Sequence, residues 1–331
     1  MRVLVTGGTG FVGAWSAKTA VDAGHAVRFL VRDPARLETS AAPLGLDTSD
    51  HAVGDITDAN SVARALDGCD AVIHSAAVVA TDPGRAAEML RTNLTGARNV
   101  LGSAADRGLD PIVHVSSFTA LFRPGLEVLT ADLPVTGGSD GYGRSKAAVE
   151  VYARGMQDGG APVSITYPGM VLGPPAGQMF GEAAEGVEGV LRMGVLPGQS
   201  AAWLVVDVRE VATLHASLLE PGRGPRRYLC GGHRVTVPRL AEIFSELTGK
   251  RFRVLPVPDQ LLRGFGQLAD TITRFLPFET PMTAAAMQYY TQMPPSDDSP
   301  SERDFGIDYR DPLATIAATI DGLKAVGRVS D

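Results

Sequence analysis

Cysteine is nearly absent: the 331-residue chain has two, Cys69 and Cys230, far apart. No disulfide framework and no CxxC pair exists, which suits a reducing compartment. Cys230 lies in the apolar run Tyr228-Leu229-Cys230 and reads as a small core residue. Six histidines occur, with no HExxH and no clustered His/Cys set, so no metal site is expected. Positive charge is also scarce. The net charge is −7, and basic residues come only in short pairs such as Arg226-Arg227 and Lys250-Arg251. A nucleic-acid partner needs a basic face to meet the phosphates, so that class is set aside. No uninterrupted apolar run reaches membrane-spanning length. The N-terminus goes straight into a strand with no secretory signal, so a cytoplasmic location is expected. What the chain does have is 44% hydrophobic and 20% charged residues, the balance of a well-cored globular protein.

Residues 6–13 read Thr-Gly-Gly-Thr-Gly-Phe-Val-Gly, directly after the apolar run Val3-Leu4-Val5. Glycines at 7, 10 and 13 permit a tight turn, a close backbone approach to a diphosphate, and packing of a helix on a strand. The start of that helix offers free N–H groups and a positive dipole end. The spacing is G-x-x-G-x-x-G rather than the common G-x-G-x-x-G. A phosphate loop of the ATPase type is excluded, because Ala14-Trp15 stand where Lys-Ser/Thr would be needed.

Strand patterns at 3–5, 27–31, 71–74, 112–116 and 163–167 alternate with helical patterns at 11–23, 61–66, 86–106 and 141–156. Gly24 and Gly108 read as helix stops. The alternation predicts an α/β fold, a Rossmann-type doubly wound parallel sheet. Ligands bind such sheets at the carboxyl ends of the strands. From residue 168 the composition changes. We read a Rossmann domain over 1–167 plus 203–232, the latter with strands at 205–208 and 227–230. A smaller C-terminal substrate-binding lobe then covers 168–202 plus 233–331. Within it, 293–303 is polar and Pro-rich and reads as a loop. The segment 261–278 is amphipathic and is expected to pack into the core or a pocket, with an interfacial role as the alternative.

Tyr142 and Lys146 lie four apart on the helix predicted over 141–156, so they share one face. Of the seven tyrosines, Tyr142 alone has Lys four positions later. A free tyrosine titrates near pH ~10. A nearby ammonium favours the phenolate and is expected to lower that value. The pair can then give or take a proton at a carbinol or carbonyl oxygen. Ser116-Ser117 ends the strand at 112–116, where a hydroxyl can bond the reacting oxygen. Ser117 is the first choice and Ser116 the second. Gly137-Gly-Ser139-Asp-Gly141 formally matches a hydrolase elbow, but the strand that motif needs is missing. Ser139 reads as a helix cap instead.

These residues, with Tyr167-Pro168-Gly169, resemble the extended branch of the short-chain dehydrogenase/reductase superfamily. That branch holds the NAD-dependent epimerase/dehydratase proteins and the dihydroflavonol-reductase-like carbonyl reductases. Gly54-Asp55-Ile56-Thr57-Asp58, His74-Ser75-Ala76-Ala77, Asn93 and Val206–Ala212 also match it. The resemblance implies an enzyme with Ser117, Tyr142 and Lys146 as catalytic residues and Asn93 organising them. It implies cofactor contacts from Gly7, Thr9, Gly10, Phe11, Val12 and Gly13. Asp55 and Ile56 would lie at the adenine, and Ser75, Ala76 and Ala77 under the cofactor's centre. Tyr142 and Lys146 would meet the nicotinamide ribose, and the backbone of Pro168 and Val171 the carboxamide. One departure stands out. The family commonly has Arg before Pro-Gly, and here it is Tyr167, which argues against a nucleotide-sugar substrate.

The strand at 27–31 ends Val31-Arg32-Asp33. NAD sites place a carboxylate at this strand's end, but here Val31 takes that place. Arg32 and Arg36 suit a 2′-phosphate, so NADP(H) is expected over NAD(H). Asp33 competes, by pairing with either Arg or by binding a ribose. The expected activity is reduction of an apolar or aromatic ketone or aldehyde. Epimerase/dehydratase or 3β-hydroxysteroid dehydrogenase chemistry is the alternative, and a redox-sensing NADP binder is the non-enzymatic one. Met170, Leu172, Met179, Phe180, Leu191, Met193 and Trp203 are the apolar candidates for the substrate side, half or more of them being core. The resemblance also allows a homodimer through helices 86–106 and 141–156.

Overall fold

The computed structural model describes residues 1–79, 83–138, 140–198, 200–273 and 283–330. In chain order the strands are β1 (Arg2–Thr6), β2 (Ala26–Val31), β3 (His51–Val53), β4 (Ala71–His74), β5 (Ile112–Val115) and β6 (Val163–Pro168). Then follow β7 (Met170–Leu172), β8 (Val195–Pro197), β9 (Ala202–Asp207), β10 (Arg226–Cys230), β11 (His233–Thr236) and β12 (Arg253–Leu255). The helices of the first part are α1 (Phe11–Asp22), α2 (Pro34–Ala41), α3 (Ala59–Leu66), α4 (Ala86–Ala97), α5 (Ser103–Asp106) and α6 (Gly141–Asp158). Those that follow are α7 (Ala183–Met193), α8 (Val208–Ser217), α9 (Val237–Thr248), α10 (Asp259–Thr273), α11 (Ala284–Gln292), α12 (Ser299–Phe305) and α13 (Pro312–Ala325).

Among the described residues a seven-stranded sheet runs in the order β10-β6-β5-β4-β1-β2-β3. Every pairing in it is parallel. Alternation along β1 shows why both faces are covered. Val3 and Val5 join a core with Ala17 and Ala20 of α1 and Leu214 of α8. Leu4 points the other way, into a core with Val62 of α3 and Val149 and Ala153 of α6. Side chains of period two thus feed two apolar layers. The chain leaves β1 toward β2 and β3, then crosses back so that β4 lies on β1's other side. That reversal opens a crevice at the carboxyl ends of β1 and β4. The doubly wound α/β class expected from the alternation is the observed one.

The smaller part carries a three-stranded sheet, β11-β9-β7, and a two-stranded one, β12-β8. Here the expectation for 205–208 needs correcting. This stretch does not return to the large sheet. β9 pairs with β7 and β11, and the return is made by β10 against β6. The reason is visible in the side chains. Trp203 and Val205 enter the core of the smaller part, while Leu204 and Val206 enter the two cores of the large sheet. A strand apolar on both faces serves as the wall between them. The loop expected at 293–303 contains α12, whose Pro300 sits in the first turn, where a missing N–H costs nothing. The helix expected at 86–106 runs through a π-helical stretch at 98–102. Gly24 and Gly108 hold φ of +87° and +73°, as their reading as stops requires.

The segment 261–278 also departs from expectation. Residues 274–278 lie outside the described residues. Up to Thr273, α10 turns its apolar stripe outward: Leu261 is 57% exposed, Phe265 55%, Leu268 54% and Ile272 36%. The inward face is small and polar. Gly266 lies against Thr283 and Ala284, Arg263 Nη1 donates to Thr291 Oγ1 at 3.1 Å, and Asp270 accepts from the Ala284 N–H at 3.3 Å.

Candidate active site

The glycine loop links β1 to α1. Gly7 has φ +80°, and a Cβ there would come 2.7 Å from both the Ala76 nitrogen and Ser75 Oγ. A Cβ on Gly13 would overlap the Gly7 carbonyl oxygen and lie 2.6 Å from Ser75 Oγ. The loop is thus pressed onto residues 75–76 at the end of β4. Ser75 Oγ donates to the Thr6 carbonyl at 2.9 Å, and Thr6 Oγ1 meets His74 Nδ1 at 2.7 Å. Gly10 caps α1 without a side-chain bond, and no acidic residue stands in the first turn. The helix start is therefore not neutralised by the protein itself, which is the condition for holding a diphosphate. Thr9, Phe11 and Val12 fill the loop and the first turn of α1 between these glycines.

Across the crevice stands α6. Asp140 caps it, its Oδ1 accepting from the Gly143 N–H at 2.9 Å. Ser139, the cap expected from sequence, lies outside the described residues. Tyr142, Lys146, Glu150 and Arg154 recur every fourth residue on one face. The Ser117 hydroxyl lies near enough to the Tyr142 phenol to pull its pKa down, against the effect of burial. Ser117 Oγ also accepts from Thr119 Oγ1 at 3.0 Å, which fixes the serine at the end of β5. Ser116 is turned away, donating to Glu150 Oε2 at 2.8 Å. Of the two serines, the one at Tyr142 is Ser117.

Lys146 is 7% exposed, and its Nζ donates to the Val115 carbonyl at 3.2 Å. Burial pulls its pKa down to about 8, against the opposing pull of Glu182 and Glu150. The expected acidification of Tyr142 by Lys146 is not what the geometry gives. Lys146 Nζ stands 5.8 Å from the centre of the Tyr142 ring. Burial, with Glu182 next, pushes the phenol well above the usual tyrosine range, and the Ser117 hydroxyl offsets only part of this. At neutral pH Tyr142 therefore keeps its phenolic proton and Lys146 its charge.

Asn93 is 4% exposed and its amide is fully engaged. Oδ1 accepts from the Val78 N–H at 2.7 Å. Nδ2 donates to the Val78 carbonyl at 2.9 Å and to Ser145 Oγ at 2.8 Å. It fastens α4 and the segment after β4 to the residue before Lys146. Tyr167 is 0% exposed and donates to Glu150 Oε1 at 2.6 Å. Arg154 Nε donates to the same oxygen at 2.7 Å. The residue that replaces the Arg before Pro-Gly is therefore a buried strut with no access to the crevice.

At the other end of the crevice, Arg32 is largely exposed, with Nη1 3.9 Å from Asp55 Oδ2. Arg36 is exposed on α2. Asp33 is committed to capping α2, its Oδ1 accepting from the Ala35 N–H at 2.9 Å. Asp55 Oδ1 accepts from the Thr57 N–H and hydroxyl, at 2.8 and 2.7 Å. The Ile56 side chain fills the space that a Cβ on Gly96 would need. Ala77 follows Ala76 out of β4. Pro168 ends β6 beside Cys230, and Val171 lies in β7, its carbonyl beside Gly181. The glycine cradle, the uncapped helix start and the carboxyl-end crevice fit a dinucleotide.

The NAD dependent epimerase/dehydratase family matches residues 3–231. The chain belongs to that family. It is an NAD(P)-dependent enzyme of the extended short-chain dehydrogenase/reductase group. Over 98% of its length and 97% of the relative's, it is 30% identical to the sterol demethylase protein B of Methylococcus capsulatus. It is 33% identical to the cinnamoyl-CoA reductase 1 of Oryza sativa subsp. japonica, over 73% of this chain and 75% of that one. Among solved structures, that of gox2253 superposes with a TM-score of 0.80 at 24% identity, covering 99% of both chains. This last likeness concerns the fold.

Several residues of this family member's site were not singled out from sequence. Glu150 is one, although its place four residues after Lys146 was a signal. Tyr289 of α11 is another: its hydroxyl donates to Asp140 Oδ1 at 3.1 Å, and its ring meets Phe118 and Phe122 edge-on. It braces the cap just ahead of Tyr142. Glu182 reaches the same site from the residue before α7, as its effect on Tyr142 and Lys146 shows. Of the apolar candidates, Leu172 and Trp203 are core, Phe180 lies under Arg328, and Met193 faces solvent. Met179 packs beside Phe11.

Proposed function

We propose that the protein is an NADP(H)-dependent reductase of apolar or aromatic ketones and aldehydes. The observation that carries this reading is the placing of Ser117, at the carboxyl end of β5, beside a protonated Tyr142, with Lys146 Nζ 5.8 Å from the tyrosine ring centre one turn further along α6. A nicotinamide dinucleotide, when bound, supplies the hydride. Gly7–Gly13 would hold its diphosphate, Asp55 and Ile56 would border the adenine, and Ser75, Ala76 and Ala77 would support its centre. Lys146 and Tyr142 would meet the ribose, and the backbone at Pro168 and Val171 would bind the carboxamide. Ser117 holds the substrate carbonyl oxygen. Tyr142 O–H gives that oxygen its proton, and the neighbouring Lys146 ammonium stabilises the charge left behind. Asn93 keeps α6 in register for both.

Arg32 and Arg36 take the 2′-phosphate, a reading supported by Val31 in place of a carboxylate and by Asp33 being committed to the α2 cap. The smaller lobe, 168–202 plus 233–331, closes the substrate side. A charged sugar nucleotide is disfavoured because Tyr167 is sealed in the Glu150 network. The second reading is a sterol-like fused-ring ketone or alcohol, supported by the full-length similarity to a protein named for sterol demethylation. The test is a panel of aliphatic, aromatic and steroidal carbonyls with NADPH and with NADH. The reading expects turnover of at least one apolar carbonyl, with kcat/KM for NADPH about tenfold or more above NADH, and loss of that margin in Arg32→Ala. Preference for NADH, or tightly retained NAD(H) with no net turnover, would overturn it in favour of an epimerase or dehydratase.

A further inference from the structure

We propose that α10 and the β12 edge beside it form a docking surface for an anionic lipid bilayer. The starting observation is the inverted amphipathicity of α10. A solvated helix buries its apolar face and shows its polar one. Here Leu262 is buried and Ala269 half-buried, but the rest of the inward face is Gly266, Arg263 and Asp270, fixed to α11 by hydrogen bonds and close backbone contact. Leu261, Phe265, Leu268 and Ile272 all face outward. At 100° per residue these four fall within about 60° of arc, a single stripe along a helix of 15 residues. Four large apolar side chains in one row are not the scattered exposure of an ordinary surface. Leu255 of β12, four residues ahead of α10, is exposed as well.

Charge selects the occupant. The protein carries −7 overall, yet the stretch 250–258 that leads into α10 has Lys250, Arg251 and Arg253 and no acidic residue. Asp259, which opens α10, accepts from Ser200 Oγ at 2.5 Å. Arg251 and Arg253 are exposed. An apolar helical stripe with a basic flank is what an anionic membrane surface recognises: the stripe enters the headgroup boundary and the cations meet the lipid phosphates. A second copy of this chain fits less well. It would repeat the same basic flank across the interface, and one stripe falls short of the roughly 20–30 residues a side of a stable protein contact. Among the described residues no helix is long and apolar enough to cross a membrane, so the contact lies on the bilayer rather than through it.

The test reads no turnover and so stands apart from the proposed reaction. The protein is sedimented with phosphatidylcholine vesicles and with vesicles of phosphatidylcholine and phosphatidylserine. Binding is expected to the second kind, to weaken as salt rises, and to fall about tenfold or more in Phe265→Glu/Leu268→Glu. A companion variant, Arg251→Gln/Arg253→Gln, leaves the stripe intact and is expected to bind anionic vesicles less without losing its fold. An unfolding curve for each variant separates lost docking from lost structure. No binding to either vesicle, or binding that both folded variants retain, overturns the proposal. Self-association in solution that Phe265→Glu/Leu268→Glu abolishes, without vesicle binding, overturns it in favour of a second copy.

Discussion

Replacing Glu150 by Gln is the perturbation whose size follows most directly from the structure. The Glu150 side chain has no solvent exposure, and its carboxylate accepts from Ser116, Tyr167 and Arg154. Gln keeps the shape but turns one acceptor into a donor. A donor then faces either Ser116 Oγ or the Tyr167–Arg154 pair, and Arg154, itself only 16% exposed, loses its counter-charge. Removing one partner of a buried ion pair costs about 3–5 kcal/mol. Two contacts soften this: Arg154 also donates to the carbonyls of Leu133 and Ala131. We therefore expect about 3 kcal/mol, a large share of the roughly 5–15 kcal/mol that holds a typical domain. The assay is urea unfolding at neutral pH, with the double change Glu150→Gln/Arg154→Met alongside. The double variant removes both members of the buried ion pair, and should be less destabilised than Glu150→Gln. Glu150 also raises the pKa of Lys146. In Glu150→Gln the alkaline loss of activity should therefore begin at lower pH than in the parent. A loss of stability below about 1 kcal/mol would refute the account of Glu150 as the anchor of α6.

Three further outcomes are expected. Gly13→Ala forces a Cβ against the Gly7 carbonyl and Ser75, an overpacking of about 1–3 kcal/mol, and should weaken cofactor affinity about tenfold or more in a binding titration. His215 is fully buried between Ser16 Oγ and Thr166 Oγ1, at 2.8 and 2.9 Å, and burial lowers its pKa from 6.5 to about 3. Its neutral form is the folded one, so its stabilisation is whole above pH 6.5 and is lost as pH falls below that. Between pH 6.5 and 5.5, urea unfolding of His215→Gln should show about 1 kcal/mol less loss than the parent. Asn93→Ala leaves the Val78 backbone and Ser145 without their partner, and should lower kcat more than it raises KM, because it moves α6 rather than the binding loop; an unchanged kcat would count against that role.

What could be read from sequence was what is local. The turn at 6–13 carries its own geometry, because Gly7 and Gly13 leave no room for a side chain. Tyr142 and Lys146 share a face by helical spacing alone. Tyr167 was visible as a departure, but its meaning depends on Glu150 and Arg154, and only the packing of α6 on β6 brings these together. Lys146 could be placed near Tyr142, while the direction of the tyrosine's shift depended on burial and on Glu182, remote in sequence. β3 has three residues, too few for a periodic signal. α10 was legible as an amphipathic helix. Periodicity tells which residues share a face and is silent on which face turns inward, and here contacts from Gly266, Arg263 and Asp270 decided it.

The central claim is that Tyr142 supplies the proton at a carbonyl oxygen held by Ser117. The most direct measurement is single-turnover reduction by Tyr142→Phe, once a carbonyl substrate is in hand, beside a titration of its NADPH affinity. Losing one hydroxyl leaves the cradle of residues 7–13 untouched. The account predicts NADPH affinity within about threefold of the parent and a reduction rate lower by about 10²–10⁴-fold. A Tyr142→Phe protein that reduces its substrate at the parental rate would contradict it.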